Sequence, residues 1–151
     1  MPEQKTGIER RMVQRLLTHW RSVQDEGSIP SLKSILELDL GDIVPNLYVL
    51  KMKQDGSDPV FERIGRIIAG EAGSSLAGQP VSAVTEKTLL SQAIRYRDKV
   101  QAKTVPITLG GEFTDANGDV ILYRSVILPL SEGDGFINAL IGAANCKKKE
   151  D

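Results

Sequence analysis

The segment from Val120 to Leu130 constrains this chain more than any other. It reads as one long strand, and both of its alternating residue sets are mostly apolar. Ile121, Tyr123 and Ile127 stand on one side; Val120, Leu122, Val126 and Leu128 stand on the other. A strand with one wet face alternates apolar and polar residues. This strand therefore needs cover on both faces, and the rest of the chain has to supply a layer for each.

The turns around it define its neighbours. Asp115-Ala116-Asn117-Gly118 is a strong hairpin signal, joining it to a strand that starts at Val105-Pro106-Ile107-Thr108-Leu109 and leads to Phe113. Ser131 to Gly135 is a second turn, followed by a strand from Phe136 to Cys146. On that last strand Gly142, Ala143 and Ala144 leave room for close approach. Lys147 to Asp151 reads as a frayed charged tail. Earlier in the chain, Leu47–Met52 and Val60–Ile64 form another hairpin across the turn-rich Gln54 to Pro59.

Two groups of helices are the covers. Ile8, Met12, Val13, Leu16, Leu17, Trp20 and Val23 recur at helical spacing between about Gly7 and Asp25. Thr6 and Glu9 fit a capping box, and Gly27 fits a stop. This helix has to bury its Trp20 face and is the natural cover for one side of the sheet. Ser31 caps a short helix through Leu32, Ile35 and Leu36. Gly65, Gly70, Gly73 and Gly78 keep helices after Arg66 short. A longer helix is expected from Glu86 to Ala102, capped by Thr85, and these middle helices cover the second face.

The fold class that follows is α+β: an antiparallel five-stranded sheet with a helical middle segment and an added amphipathic N-terminal helix. The expected division is residues 1–27 for that helix, 28–146 for the sheet domain and 147–151 for the tail.

At 151 residues, with 40% hydrophobic and 26% charged, the chain has the length and balance of one globular domain. A net charge of -1 argues against a dedicated nucleic-acid binder. No apolar run approaches the roughly 20 residues a membrane helix needs. The start lacks the apolar core of a signal peptide, so the expected location is cytoplasmic. The single cysteine, Cys146, excludes an internal disulfide and a multi-cysteine metal site.

Certain residues carry a resemblance. Trp20 is followed by Ile29-Pro30, then Val44-Pro45-Asn46-Leu47, Phe61-Glu62-Arg63-Ile64-Gly65, Leu76-Ala77-Gly78, Tyr123-Arg124 and Leu128-Pro129-Leu130-Ser131. Spanning Leu16 to Ala144, this succession resembles the PAS domain, and in particular single-domain PAS-like proteins common in alphaproteobacteria. The order of elements is similar to the PAS order, with the N-terminal helix added. The chain departs from the pattern in three places. Leu32 stands where an Arg is expected after Pro30, Leu36-Glu37 where an Asp-Pro is expected, and the Arg63 to Gly65 spacing is one residue short. The resemblance implies a sensory or regulatory module acting through protein contacts, with or without a small-molecule ligand. The alternatives are a structural adaptor with a filled core, resembling profilin-like domains, and a small α+β enzyme.

Few residues carry chemistry. A haem sensor needs an axial ligand, usually His, and the only histidine, His19, falls at the edge of the N-terminal helix. A flavin photoadduct needs a cysteine in the helical middle, and Cys146 ends the last strand; it reads as a small hydrophobe or an edge thiol. Arg97 falls beside the apolar stripe Leu89, Ala93, Tyr96 and Val100, so it needs an acid, a backbone carbonyl or a bound anion as partner. Arg63, Tyr96, Tyr123 and Arg124 are further polar-tipped groups on sheet or helix faces, and with Arg97 they are the candidate ligand contacts. Arg95, Lys99 and Lys103 read as a solvated face. There is no nucleophile–base pair, GxGxxG pattern or P-loop. The expectation is a non-enzyme without metal or cofactor, working through a protein partner. Its N-terminal helix either covers its own sheet or builds a homodimer with a neighbour's.

Overall fold

The computed structural model describes residues 2–133 and 135–150, with side chains described outside 2–10, 71–72 and 74. At its centre lie β1 (Leu47–Lys51), β2 (Val60–Ile64), β3 (Ile107–Thr114), β4 (Val120–Ser131) and β5 (Ile137–Lys148). They form one five-stranded sheet in the order β2-β1-β5-β4-β3, with every neighbouring pair antiparallel.

The stretch of β4 from Val126 to Leu130 divides between two separate cores, as its pattern requires, while Val120, Ile121 and Leu122 are half-buried. Val126, Leu128 and Leu130 pack on the outer face with Leu47, Val49, Ala139, Ile141 and Ala143. Helix α1 (Pro2–Ser22) covers them with Met12, Val13, Leu16 and Trp20, and Ile35 of α2 (Leu32–Leu36) joins them. Ile127 packs on the inner face with Tyr48, Leu50, Phe61, Leu140 and Ala144. Its cover comes from α3 (Arg66–Ala69), α4 (Leu89–Ala93) and α5 (Arg97–Lys103), through Ile68, Leu90, Ala93 and Val100.

Trp20 anchors the outer layer. It is 3% exposed, and its Nε1 donates to the Pro129 carbonyl at 2.8 Å. β3 pairs with β4 only as far as Ile127, so Pro129 lies where β4 has no neighbour on that side. A proline there removes no ladder bond, and its orphan carbonyl is free to accept from the indole. One step on, Ser131 N donates to Pro30 O at 2.9 Å, so the link after α1 covers the same open edge.

Three local expectations change. The helix from Glu86 to Ala102 is broken into α4 and α5, with Ile94 and Tyr96 outside helical geometry. Its cap is Thr88 rather than Thr85: Thr88 Oγ1 accepts from Ser91 N at 3.2 Å, and Ser91 Oγ accepts from Thr88 N at 3.1 Å. The charged tail begins later than expected, because β5 takes in Lys147 and Lys148 opposite Leu122 and Ile121. The Lys148–Asp119 and Lys149–Glu112 ion pairs there are exposed and add little to strand pairing. The cap expected from Thr6 and Glu9 lies outside the described side chains. No helix among the described residues is long and apolar enough to cross a membrane.

Candidate functional site

Between the inner face of the sheet and the middle helices is a cleft of about 480 Å³. Ile67, Ile68, Leu76, Val84, Leu89 and Leu90 form its helical wall, and Phe113, Ile121 and Cys146 its sheet wall. The β3–β4 register explains the sheet wall: it sets Phe113 opposite Ile121 and Tyr123 opposite Gly111, all on the inner face. Asp115, Ala116 and Asn117 of the connecting turn form a lip over the cleft. Asp115 is consumed in holding that turn, its Oδ1 accepting from Asn117 N at 3.0 Å and Asp119 N at 2.9 Å. The mouth is ringed by exposed Glu86, Lys87, Ala116 and Asn117.

The hydroxyl of Thr88 is also committed, accepting in the helix cap and donating to Thr85 O at 2.7 Å. The interior therefore offers shape and apolar contact, while the uncommitted polar groups sit at the mouth. That distribution suits a small molecule with an apolar body and one polar end.

Beside the cleft lies a second polar cluster. Tyr48 is fully buried on β1, and its hydroxyl donates to Ala93 O at 3.2 Å. In a continuous helix Ala93 O would accept from Arg97 N. Here Ala93 O accepts from Tyr48 instead, Arg97 N turns to Ile94 O at 3.2 Å, and Arg97 Nη1 donates to the same carbonyl at 2.9 Å. The expected single helix breaks at this point. Among the described residues, Arg97 Nε is buried without a partner.

Burial pushes the Tyr48 phenol well above its ordinary pKa, against a smaller opposing pull from the Arg97 charge. Below the unfolded-state pKa both states keep the proton and stability is full. As pH rises past about 10 the unfolded chain releases its proton and the folded chain does not, so stability falls by about 1.4 kcal/mol per pH unit. The stability of Tyr48→Phe, measured by urea unfolding between neutral pH and pH ~11, is expected to fall less steeply than that of the parent. Equal slopes would rule out the buried phenol as the source.

The residues singled out in the sequence are placed apart. Tyr123 is 8% exposed on the inner face, packed edge-on against Phe113 with ring centroids 5.9 Å apart. Arg97 and Tyr96 lie at the α4–α5 break, where Arg95 and Lys99 both stack on the Tyr96 ring, 5.8 and 5.9 Å from its centroid. Arg63 is exposed on edge strand β2, opposite Val49 of the outer face. Arg124 is exposed on the outer face, lying over Gly110. None of the five lines the cleft; Tyr123 touches it only through Phe113. Sequence reasoning did not pick out Phe113 and Ile121, although the Asp115 to Gly118 turn already set them opposite each other. His19 is half-buried on α1, on the other side of the sheet. Cys146 does line the cleft, but on its sheet wall, and the helical wall has no cysteine. These residues do not fit flavin photoadduct chemistry. Among the described residues no cluster of His, Cys, Asp and Glu could hold a metal ion.

A family profile described as a PAS domain matches residues 8–145. Among solved structures, the fold is similar to the LOV domain of a blue-light activated histidine kinase from Erythrobacter litoralis. The identity is 16%, over 69% of this chain and 96% of that one, with a TM-score of 0.50. It is also similar to a sensory box sensor histidine kinase from Vibrio cholerae, at 11% identity over 68% of this chain and 81% of that one, with a TM-score of 0.50. At these identities the likeness concerns the fold alone. No curated protein matches the chain.

Proposed function

The chain belongs to the PAS domain family, and on that premise we propose that it is a sensory or regulatory module that takes a small, largely apolar molecule into its inner cleft and signals through contacts with a protein partner. The observation that carries this reading is the cleft itself. About 480 Å³ of space lined by Ile68, Leu76, Leu90, Phe113 and Ile121 falls in the size range of ligand pockets. The polar end of such a ligand meets Lys87, Glu86 or Asn117 at the mouth. Tyr123 braces the sheet wall by packing on Phe113. Arg97 and Tyr96 belong to the break between α4 and α5, next to that helical wall, and would feel a ligand through α4. Arg63 and Arg124, on the outer side, belong to partner contacts in this reading. The cytoplasm is the compartment it proposes.

The test is native mass spectrometry of the protein purified from its own host, beside the Ile121→Trp protein. A retained mass of a few hundred daltons is expected on the parent and absent from the variant, because the indole fills the cleft. The variant's circular dichroism should match the parent's. No retained mass, together with no thermal shift from any member of a panel of small apolar acids, alcohols and aromatic compounds, would favour an adaptor with a filled core instead. The purified protein is expected to be colourless.

A further inference from the structure

The two edges of the sheet are treated differently. At the β2 edge, Phe61 N donates to Gln79 O at 2.9 Å, Gly78 N donates to Phe61 O at 2.7 Å, and Val60 bridges Pro80. At the β3 edge, among the described residues, no backbone group pairs with the side of the strand that faces away from β4. β3 runs for eight residues without a proline, and its pairing with β4 is regular throughout. An open, regular edge of this length is a template for another strand.

Its outer face bears Thr108, Gly110, Glu112 and Thr114, all exposed. Arg124 lies opposite Gly110 with its guanidinium across the missing side chain; a Cβ there would sit 2.7 Å from Nη1. Among the described residues Arg124 has no acidic partner.

We propose that β3 pairs antiparallel with β3 of a second copy of this chain, about a two-fold axis through Gly111. In that register Glu112 of the second copy falls opposite Gly110, beside the Arg124 guanidinium, and the symmetry repeats the pair. Leu109 meets the second copy's Phe113 on the inner face. At the axis, glycine faces glycine. A one-residue slip sets opposite faces against each other, and moving the axis to Gly110 sets Glu112 against Thr108 instead. A foreign strand would make the same backbone bonds but not both reciprocal charge pairs, and this favours a second copy. One strand pair buries less than the ~800 Å² per partner of a stable dimer, so the association is weak and concentration-dependent. It leaves α1 in place over its own sheet, and it does not depend on the cleft being occupied.

Sedimentation velocity on the full chain over a concentration series tests this. A reversible dimer is expected. Glu112→Arg and Arg124→Glu should each weaken it by about tenfold or more, and the two together should restore it to within about threefold. In a Cys146→Ser background, Gly111→Cys should give a disulfide-linked dimer on mild oxidation, whereas Thr108→Cys should not. A chain that is monomeric throughout, a dimer indifferent to both reversals, or equal cross-linking at the two positions would overturn the proposal.

Discussion

Removing residues 1–27 is expected to leave a chain that aggregates or fails to fold, and Trp20→Ala alone to cost about 3–5 kcal/mol. α1 is the lid of one of the two cores. Leu16 is fully buried, and Met12, Val13 and Trp20 are nearly so, against Val126, Leu128, Leu130 and Ile141. Without the helix, Val126, Leu128, Leu130 and Ile141 meet water, at about 1.5–3 kcal/mol for each large side chain. Trp20→Ala adds a cavity and orphans the Pro129 carbonyl. Trp20→Phe separates these effects: it keeps most of the packing and loses the hydrogen bond, at about 1–2 kcal/mol. Urea unfolding and light scattering provide the readouts. A truncated chain that stays soluble, monomeric and equally stable would mean that α1 is an appendage and that the outer core does not need it.

On the opposite face, Gly142→Ala is expected to destabilise by about 1–3 kcal/mol, and Gly142→Val by more. β5 brings Gly142 directly opposite Tyr48, and the phenol ring lies over the glycine. A Cβ at this position would come within 2.4 Å of both Cζ and the hydroxyl oxygen. The ring cannot retreat, because it is fully buried and its hydroxyl is held by Ala93 at the end of α4. The clash is therefore transmitted to the end of α4, where that hydroxyl is held. Tyr48→Leu should relieve the strain, so the double variant Gly142→Ala/Tyr48→Leu is expected to be markedly less destabilised than the sum of the two single changes. Strict additivity would show that the two residues do not share this contact.

The candidate site was less legible than the sheet. The strand pattern and the turn signals located Phe113 and Ile121, yet nothing local marked them as a wall. An apolar residue facing a cleft and one facing a filled core have the same alternation. The residues singled out instead were polar-tipped, on the reasoning that polar groups near apolar faces seek partners. For Arg97 that reasoning located a real feature: its guanidinium donates to the Ile94 carbonyl, one of the three kinds of partner anticipated. It did not reveal that the Ala93 carbonyl accepts from Tyr48 rather than from Arg97 N, because residues 48 and 93 meet only through the sheet–helix packing. Asn46 is a similar case: its amide donates to Ala144 O at 2.9 Å, a buried bond between distant parts of the chain.

The sequence by itself determined what periodicity and turn chemistry can encode. It required that β4 be covered on both faces, placed an amphipathic helix at the front to cover one of them, put hairpins at Gln54–Pro59 and Asp115–Gly118, and left no histidine or cysteine pattern for a metal. Each follows from the spacing of neighbouring residues, which is local information. Tertiary structure alone decided the break between α4 and α5, the extension of β5 through Lys148, the cleft and the bare β3 edge. The physical reason is the same in each case. These features arise from competition between groups far apart in the chain, for a carbonyl, for a strand partner or for space against the sheet, and that competition is settled only when the layers close.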